Sequence, residues 1–221
     1  MFDTRLEVTH LNAWYGQAQA LFDVSLAVEA GELVVLQGLN GAGKSSLLQA
    51  LSGDLPYQGQ VTLNHKPLQH WQLNHCLGYL PQQADIFDLT LAQNLRLGAP
   101  EASEQELWQV LEDVALKTWA ENQPQQLDTV LGEYGAAVSG GQGRRIALAR
   151  LLLAKRPILL LDEPFAGLDS VTTQHVVQAL VQRQARGMLL IVSHQPLYLP
   201  HATTLQLATD RHDLLQLEHQ H

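Results

Sequence analysis

The stretch GELVVLQGLNGAGKSSLLQALSG, Gly31 to Gly53, decides the fold. Its first part, Leu33 to Leu36, is a continuous apolar run bounded by glycine, charge and amide, the pattern of a strand covered on both faces. Its last part, from Lys44 to Ser52, reads as a helix. Between them Gly38-Leu39-Asn40-Gly41-Ala42-Gly43-Lys44-Ser45 matches G-x-x-x-x-G-K-[ST] at every position. A glycine loop between a strand end and a helix start lets backbone N–H groups turn inward around a β-phosphate. Lys44 would then neutralise β- and γ-oxygens, with the Ser45 hydroxyl on Mg²⁺ and Ser46 beside it. A chance glycine turn would need neither the strand before it nor the helix after it.

Working outward, three further apolar runs repeat the strand pattern: CLGYLP (Cys76–Pro81), PILLLDEP (Pro157–Pro164) and MLLIVSH (Met188–His194). Helical patterns lie between them in SEQELWQVLEDVAL, GRRIALARLLLA and SVTTQHVVQALVQRQAR, so the chain alternates strand and helix as an α/β domain does. RLEVTHLNAWYG, LFDVSLAVEAG and GQVTLNHKPL instead alternate with period two, which predicts an antiparallel β-lobe beside the parallel core. Residues 84–153 read as mostly helical, with Ser103 as an N-cap and Glu106 closing a capping box. The expected organisation is one domain: a core with β-lobe over residues 1–83 and 154–221, and a helical insertion over 84–153. The last eight residues, LLQLEHQH, read as a short helix with a frayed end.

The run ILLLDE places Asp162 at the carboxyl end of a buried strand, where ligands collect in open α/β sheets. A carboxylate there can hold Mg²⁺ through water, and Glu163 next to it can polarise an attacking water. Alone, the pair would be a solvated strand end; with the phosphate loop it completes a nucleoside-triphosphate site. A net charge of −9 argues against a nucleic-acid surface, and one cysteine, Cys76, excludes an internal disulfide and suits a reducing compartment. No apolar run is long enough to span a bilayer, and the first ten residues hold no signal-peptide core. A cytosolic protein, or the cytosolic piece of a larger one, is expected.

The glycine-rich AAVSGGQGRRIALAR narrows the class. Ser139-Gly140-Gly141-Gln142 before a helix start resembles the signature of ATP-binding cassette (ABC) proteins, and the rest of that family's set follows in the family's order. Tyr15 in WYG is similar to the aromatic residue that stacks on adenine, and Gln82 in YLPQQ to the Q-loop glutamine, with Gln83 as its twin. Asp169 in AGLD resembles the D-loop aspartate and His194 the switch histidine. Taken singly, Tyr15 would be a half-buried strand tyrosine, Asp169 an N-cap and His194 a strand-end histidine.

The resemblance implies the ABC ATPase fold: a RecA-like P-loop core, a β-lobe and a helical subdomain. It implies ATP and Mg²⁺ as ligands, with Ser45, Gln82 and Asp162 around the metal. Lys44, Gln82, Glu163 and His194 would act in hydrolysis. Tyr15, Gly38, Asn40, Gly41, Ala42, Gly43, Ser45 and Ser46 would bind the nucleotide. Ser139, Gly140, Gly141, Gln142 and Asp169 would complete the site of a second cassette docked head to tail. Thr129 to Gly135, as T-x-x-G-E-x-G, and ADIFDLTLAQNLRLG resemble the exporter branch, and there the wording is similar to subunits of a heterodimeric cysteine/glutathione exporter required for cytochrome bd assembly. That implies a transmembrane permease as second partner, with the cassette on the cytoplasmic face of the inner membrane and usually fused after six membrane helices. Ile86, Phe87 and Leu89 are candidates for the permease contact or for packing of the lobe.

Departures from the family are Val138 where leucine is usual, Gly143 where a larger polar residue is common, and a missing glycine-rich strand after His194. A soluble ABC ATPase acting on DNA or ribosomes would need a long coiled coil or a second cassette. A P-loop kinase or GTPase would leave Ser139–Gln142, Tyr15 and His194 unused.

Overall fold

The computed structural model describes residues 4–194, 197, 199 and 202–208. The expected tail helix lies outside them. The strands and helices alternate as the apolar runs predict, and they fall into two sheets.

The first sheet is antiparallel. Strand β1 (Arg5–Tyr15) pairs with β2 (Ala18–Glu29) on one side and with β4 (Tyr57–Leu63) on the other, and β5 (Lys66–Pro67) closes the edge. The second sheet is parallel, with β6 (Leu77–Leu80), β7 (Ile158–Asp162), β8 (Met188–Val192), β3 (Leu33–Gln37) and β9 (Thr203–Gln206) in that spatial order. Helix α1 (Lys44–Ser52) follows β3, and the short α2 (Leu73–Cys76) precedes β6. The inserted lobe carries α3 (Leu91–Arg96), α4 (Glu104–Asp113), α5 (Lys117–Glu121) and α6 (Gly140–Ala154), and α7 (Ser170–Arg183) bridges β7 to β8.

Why the parallel strands are apolar throughout is visible in where alternate residues go. Ile158 and Leu160 pack under the β-lobe with Leu47, Leu48, Leu190 and Val192. Leu159 and Leu161 face the other way, into a core shared with Leu189, Ile191, Val176 and the inserted helices. A period-two strand buried on both sides must be apolar at every position, so the run ILLL carries no alternation.

One element was not expected. β9 lies in TTLQ, after the point where the sequence suggested that the strand usual in the family was missing. It pairs in parallel with β3, and Leu207 N–H donates to the Gln37 carbonyl. This segment therefore backs the strand that feeds the phosphate loop. It is a half-exposed edge strand of four residues, too short and too polar to register as a buried run.

The inserted helices begin at built caps. Ser103 and Glu106 form the expected capping box at α4, and Thr90 with Gln93 forms another at α3. Asn94, fully buried, ties the segment before α3 to that helix. Its amide donates to the carbonyls of Phe87, Leu89 and Thr90, and its oxygen accepts from Phe87 N–H and Arg150 Nη2. Ile86 is buried and Phe87 exposed, with Arg150 stacked on the Phe87 ring at 5.3 Å. Asn94→Ala should leave Phe87 N–H and three carbonyls without this partner, costing about 2–3 kcal/mol. Thermal unfolding should register that as a fall in Tm of roughly 5–10 °C.

Candidate functional site

Four strands of the parallel sheet release their chains at the same edge, and the candidate residues gather there. β3 leads into the glycine loop, β6 into Gln82, β7 into Asp162 and Glu163, and β8 into His194. Together they enclose a cavity of about 370 Å³ lined by Tyr15, Asn40, Lys44, Asp162, Glu163 and His194 among others.

The loop conformation needs its glycines. Gly43 has φ +84°, and a Cβ there would sit 2.1 Å from the Ala20 carbonyl oxygen. Any side chain would push the loop off β2. Lys44 is buried, with Nζ donating to the carbonyls of Gly38 (2.8 Å) and Leu39 (3.0 Å). The ammonium is thus held across the loop mouth. Gly41, Gly43, Ser45 and Ser46 line the cavity, whereas Gly38 and Ala42 do not. Ala42 is buried, and a Cβ on Gly38 would meet it at 3.0 Å, so these two support the loop from below.

The carboxylates occupy unlike positions. Asp162 is 2% exposed, and its Oδ1 has no hydrogen-bond partner among the described residues. A buried carboxylate oxygen without a donor is costly, and a divalent cation is the chemistry that satisfies it. The neighbouring Tyr79 hydroxyl is pushed up to about 12, first by burial and then by the Asp162 charge. It stays neutral beside that aspartate.

Glu163 has φ +51°, the left-handed region that costs a non-glycine residue about 1–3 kcal/mol. The kink follows the last strand pairing, Asp162 with Val192, and is braced by Glu163 N–H on the Val192 carbonyl. His194 N–H donates to Glu163 Oε2 at 3.3 Å. Its Nε2 stands 3.2 Å from Oε1, without the alignment of a hydrogen bond. The His194 ring is itself exposed.

Tyr15 stands at the rim, 50% exposed, with its hydroxyl donated to Gln49 Oε1. A fixed hydroxyl and a free ring face suit stacking on a flat apolar group. Of the twin glutamines, Gln82 lines this cavity and Gln83 does not; both line a second one. Ala18, Gln19, Ala20 and Val192 complete the lining, positions that carry no motif of their own.

The signature residues are elsewhere. Ser139 is the N-cap of α6: its Oγ accepts from Gln142 N–H, and Gln142 Oε1 accepts from Ser139 N–H. S-x-x-Q is a capping-box spelling, so the sequence carried this signal unread. Two backbone N–H groups at this helix start, those of Ser139 and Gln142, are therefore used within the cap. Ser139 and Gly140 line the second cavity, of about 310 Å³, with Gln82, Ile86, Gly143 and Arg144. A Cβ on Gly140 or Gly141 would meet nothing within 4 Å. Asp169 caps α7, accepting from Thr172 N–H and Oγ1, and these hydrogen bonds hold its carboxyl below the usual range. Neither Ser139–Gln142 nor Asp169 touches the first cavity.

Arg144 is a residue the motif reading passed over. Nη1 donates to the Glu163 carbonyl at 2.8 Å, and Nη2 to the Gln82 carbonyl.

The sequence profile of the ABC transporter family matches residues 21–166. A probable ABC transporter ATP-binding/permease protein of Haemophilus influenzae is 33% identical over 198 residues, covering 87% of this chain and 36% of that protein. The glutathione/L-cysteine transport system ATP-binding/permease protein CydC of Escherichia coli is 39% identical over 181 residues, covering 80% of this chain and 31% of that protein. Among solved structures, a bacterial Atm1-family ABC exporter with ATP bound superposes with a TM-score of 0.88 at 26% identity, over 99% of this chain and 40% of that one. The chain thus spans about a third of the length of the curated relatives it matches. No described helix is long and apolar enough to cross a membrane. A glycine loop, a strand-end Asp-Glu pair and a capped Ser-Gly-Gly outside their cavity, matched over two thirds of the sequence and nearly all of the fold, make this chain a member of the ABC transporter family with the architecture of its exporter-type ATP-binding domain.

Proposed function

We propose that the chain binds and hydrolyses ATP as one half of a head-to-tail pair of cassettes, and drives an exporter's membrane domain by closing and reopening that pair. The observation that carries this reading is the separation of the two anion-ready surfaces. Lys44 and the loop amides line one cavity, while Ser139 and Gly140 line a neighbouring one and contribute nothing to the first. One nucleotide touched by both surfaces needs a second cassette.

In this arrangement Tyr15 stacks on the adenine, and the loop amides with Lys44 hold the β- and γ-phosphates. The orphaned Asp162 oxygen, with Ser45 and Gln82, fits a Mg²⁺ ion. A bound ion would neutralise charge on the phosphate oxygens. Glu163 orients and polarises the attacking water, and His194, held to Glu163 through its backbone N–H, steadies the γ-phosphate. The partner's copy of the signature helix faces the same phosphate with its positive end. Hydrolysis removes the shared γ-phosphate contact, and the pair reopens.

Kinship with CydC-type proteins extends the proposal to cysteine or glutathione export, with the cassette held at the cytoplasmic face of the inner membrane by a membrane domain. Exposed Phe87, in the segment that follows Gln82 and stacked against Arg150, is the natural contact for that domain.

Gly140→Asp tests the pairing. Its site is open, so stability should stay within about 0.5 kcal/mol of wild type. ATP affinity of the monomer should be unchanged, while turnover falls on the order of a hundredfold. Loss of affinity in the isolated monomer would place Ser139–Gly141 on the chain's own nucleotide instead.

A further inference from the structure

The second cavity and the first share Gln82, and Arg144 lines the second. β6 and β7 are paired up to Leu80 with Leu161. Two residues further on, Gln82 and Glu163 have left the ladder, so the sheet no longer fixes their separation. The Arg144 guanidinium spans that gap. One arm donates to the carbonyl of Glu163 and the other to the carbonyl of Gln82.

The helix that carries Arg144 comes close enough to do this because of its neighbour. Gly143 is buried against Ile86, and a Cβ there would lie 3.3 Å from Ile86 Cγ1. Ile86 also fills the notch above Gly135, where a Cβ would meet it at 3.0 Å. The small residue where the family commonly has a larger one therefore lets α6 settle onto the segment after Gln82.

We infer that Arg144 is a positioning residue: its two-armed contact fixes the kinked Glu163 backbone relative to Gln82, and so couples the signature helix of one cassette to the water-orienting carboxylate of the same cassette. This rests on the hydrolytic reading given above. The Glu163 carbonyl also accepts from Ala166 N–H at 3.2 Å, so the turn survives without Arg144 but loses its register with Gln82. Guanidinium suits the task because its donors lie in a rigid planar fork. An ammonium lacks that planar fork, so it fixes the separation of two carbonyls less firmly.

The test compares Arg144→Ala and Arg144→Lys with wild type in ATP hydrolysis, nucleotide affinity and amide exchange. In Arg144→Ala, kcat should fall about tenfold or more with KM for ATP unchanged, as misplacement of a catalytic group does. Arg144→Lys should recover part of that loss. Exchange should accelerate in the segments 82–86 and 163–166 and stay at the wild-type rate in β3 and α1. An unchanged kcat, or a loss of kcat and KM together with faster exchange throughout, would overturn the inference. The exchange pattern is read without turnover, so it stands or falls separately from the hydrolytic reading, which Glu163→Gln tests.

Discussion

Glu163→Gln leaves the chain folded and able to bind ATP, and lowers turnover by about a hundred- to ten-thousandfold, the range of a general base. The amide keeps the shape of the carboxylate, so the left-handed turn and the acceptor for His194 N–H are retained. What is lost is the charge that draws a proton from water. Because ATP then persists between two cassettes, the variant should also accumulate as a dimer when ATP and Mg²⁺ are added, visible by light scattering. Retention of wild-type turnover would remove Glu163 from the chemistry.

Asp162→Asn should move stability and activity in opposite directions. The apo protein carries a buried carboxylate oxygen with no donor among the described residues. Replacing that charge by a neutral amide relieves desolvation, raising stability by about 1 kcal/mol, a Tm gain of roughly 2–4 °C. The same change removes the anion that fits a divalent cation, so Mg²⁺-dependent hydrolysis should fall on the order of a hundredfold or more. Calorimetry on the apo protein and a Mg²⁺ titration of turnover read the two effects separately. A destabilised apo protein would mean that Asp162 is a structural acceptor, and the assignment to the metal would fail.

Much of the fold was legible because its decisive elements depend on local chemistry. LVVL and ILLL are apolar at every position since both faces are covered, and β1, β2 and β4 alternate since the β-lobe is covered on one. The loop between Gly38 and Ser45 is dictated by backbone geometry that glycine alone allows, so its spelling is strict.

Features that depend on tertiary placement were not legible. β9 is stabilised by its neighbour β3 rather than by its own composition. Between Gln82 and Gln83 the sequence offers only position, Gln82 directly following the strand and Pro81, and Gln82 is the one that lines the cavity. Arg144 and Arg145 are indistinguishable in sequence. Yet Arg144 reaches two strand ends, whereas Arg145 donates to carbonyls of Val114 and Ala115 in the inserted lobe. The signature shows both limits. Its resemblance was plain, but that Ser139 and Gln142 also cap each other emerged from the hydrogen bonds.

The central claim is that each ATP is shared between the phosphate loop of one cassette and the signature of another. Mixing two inactive variants of this chain tests it most directly. Lys44→Ala destroys one half-site and Gly140→Asp the other, so each protein alone forms pairs without a complete site. A head-to-tail pair of one with the other contains one intact site and one doubly defective site. Random mixing at equal amounts should therefore restore about a quarter of wild-type ATP turnover, if the two sites work independently. A mixture no more active than its separate components would contradict the shared site.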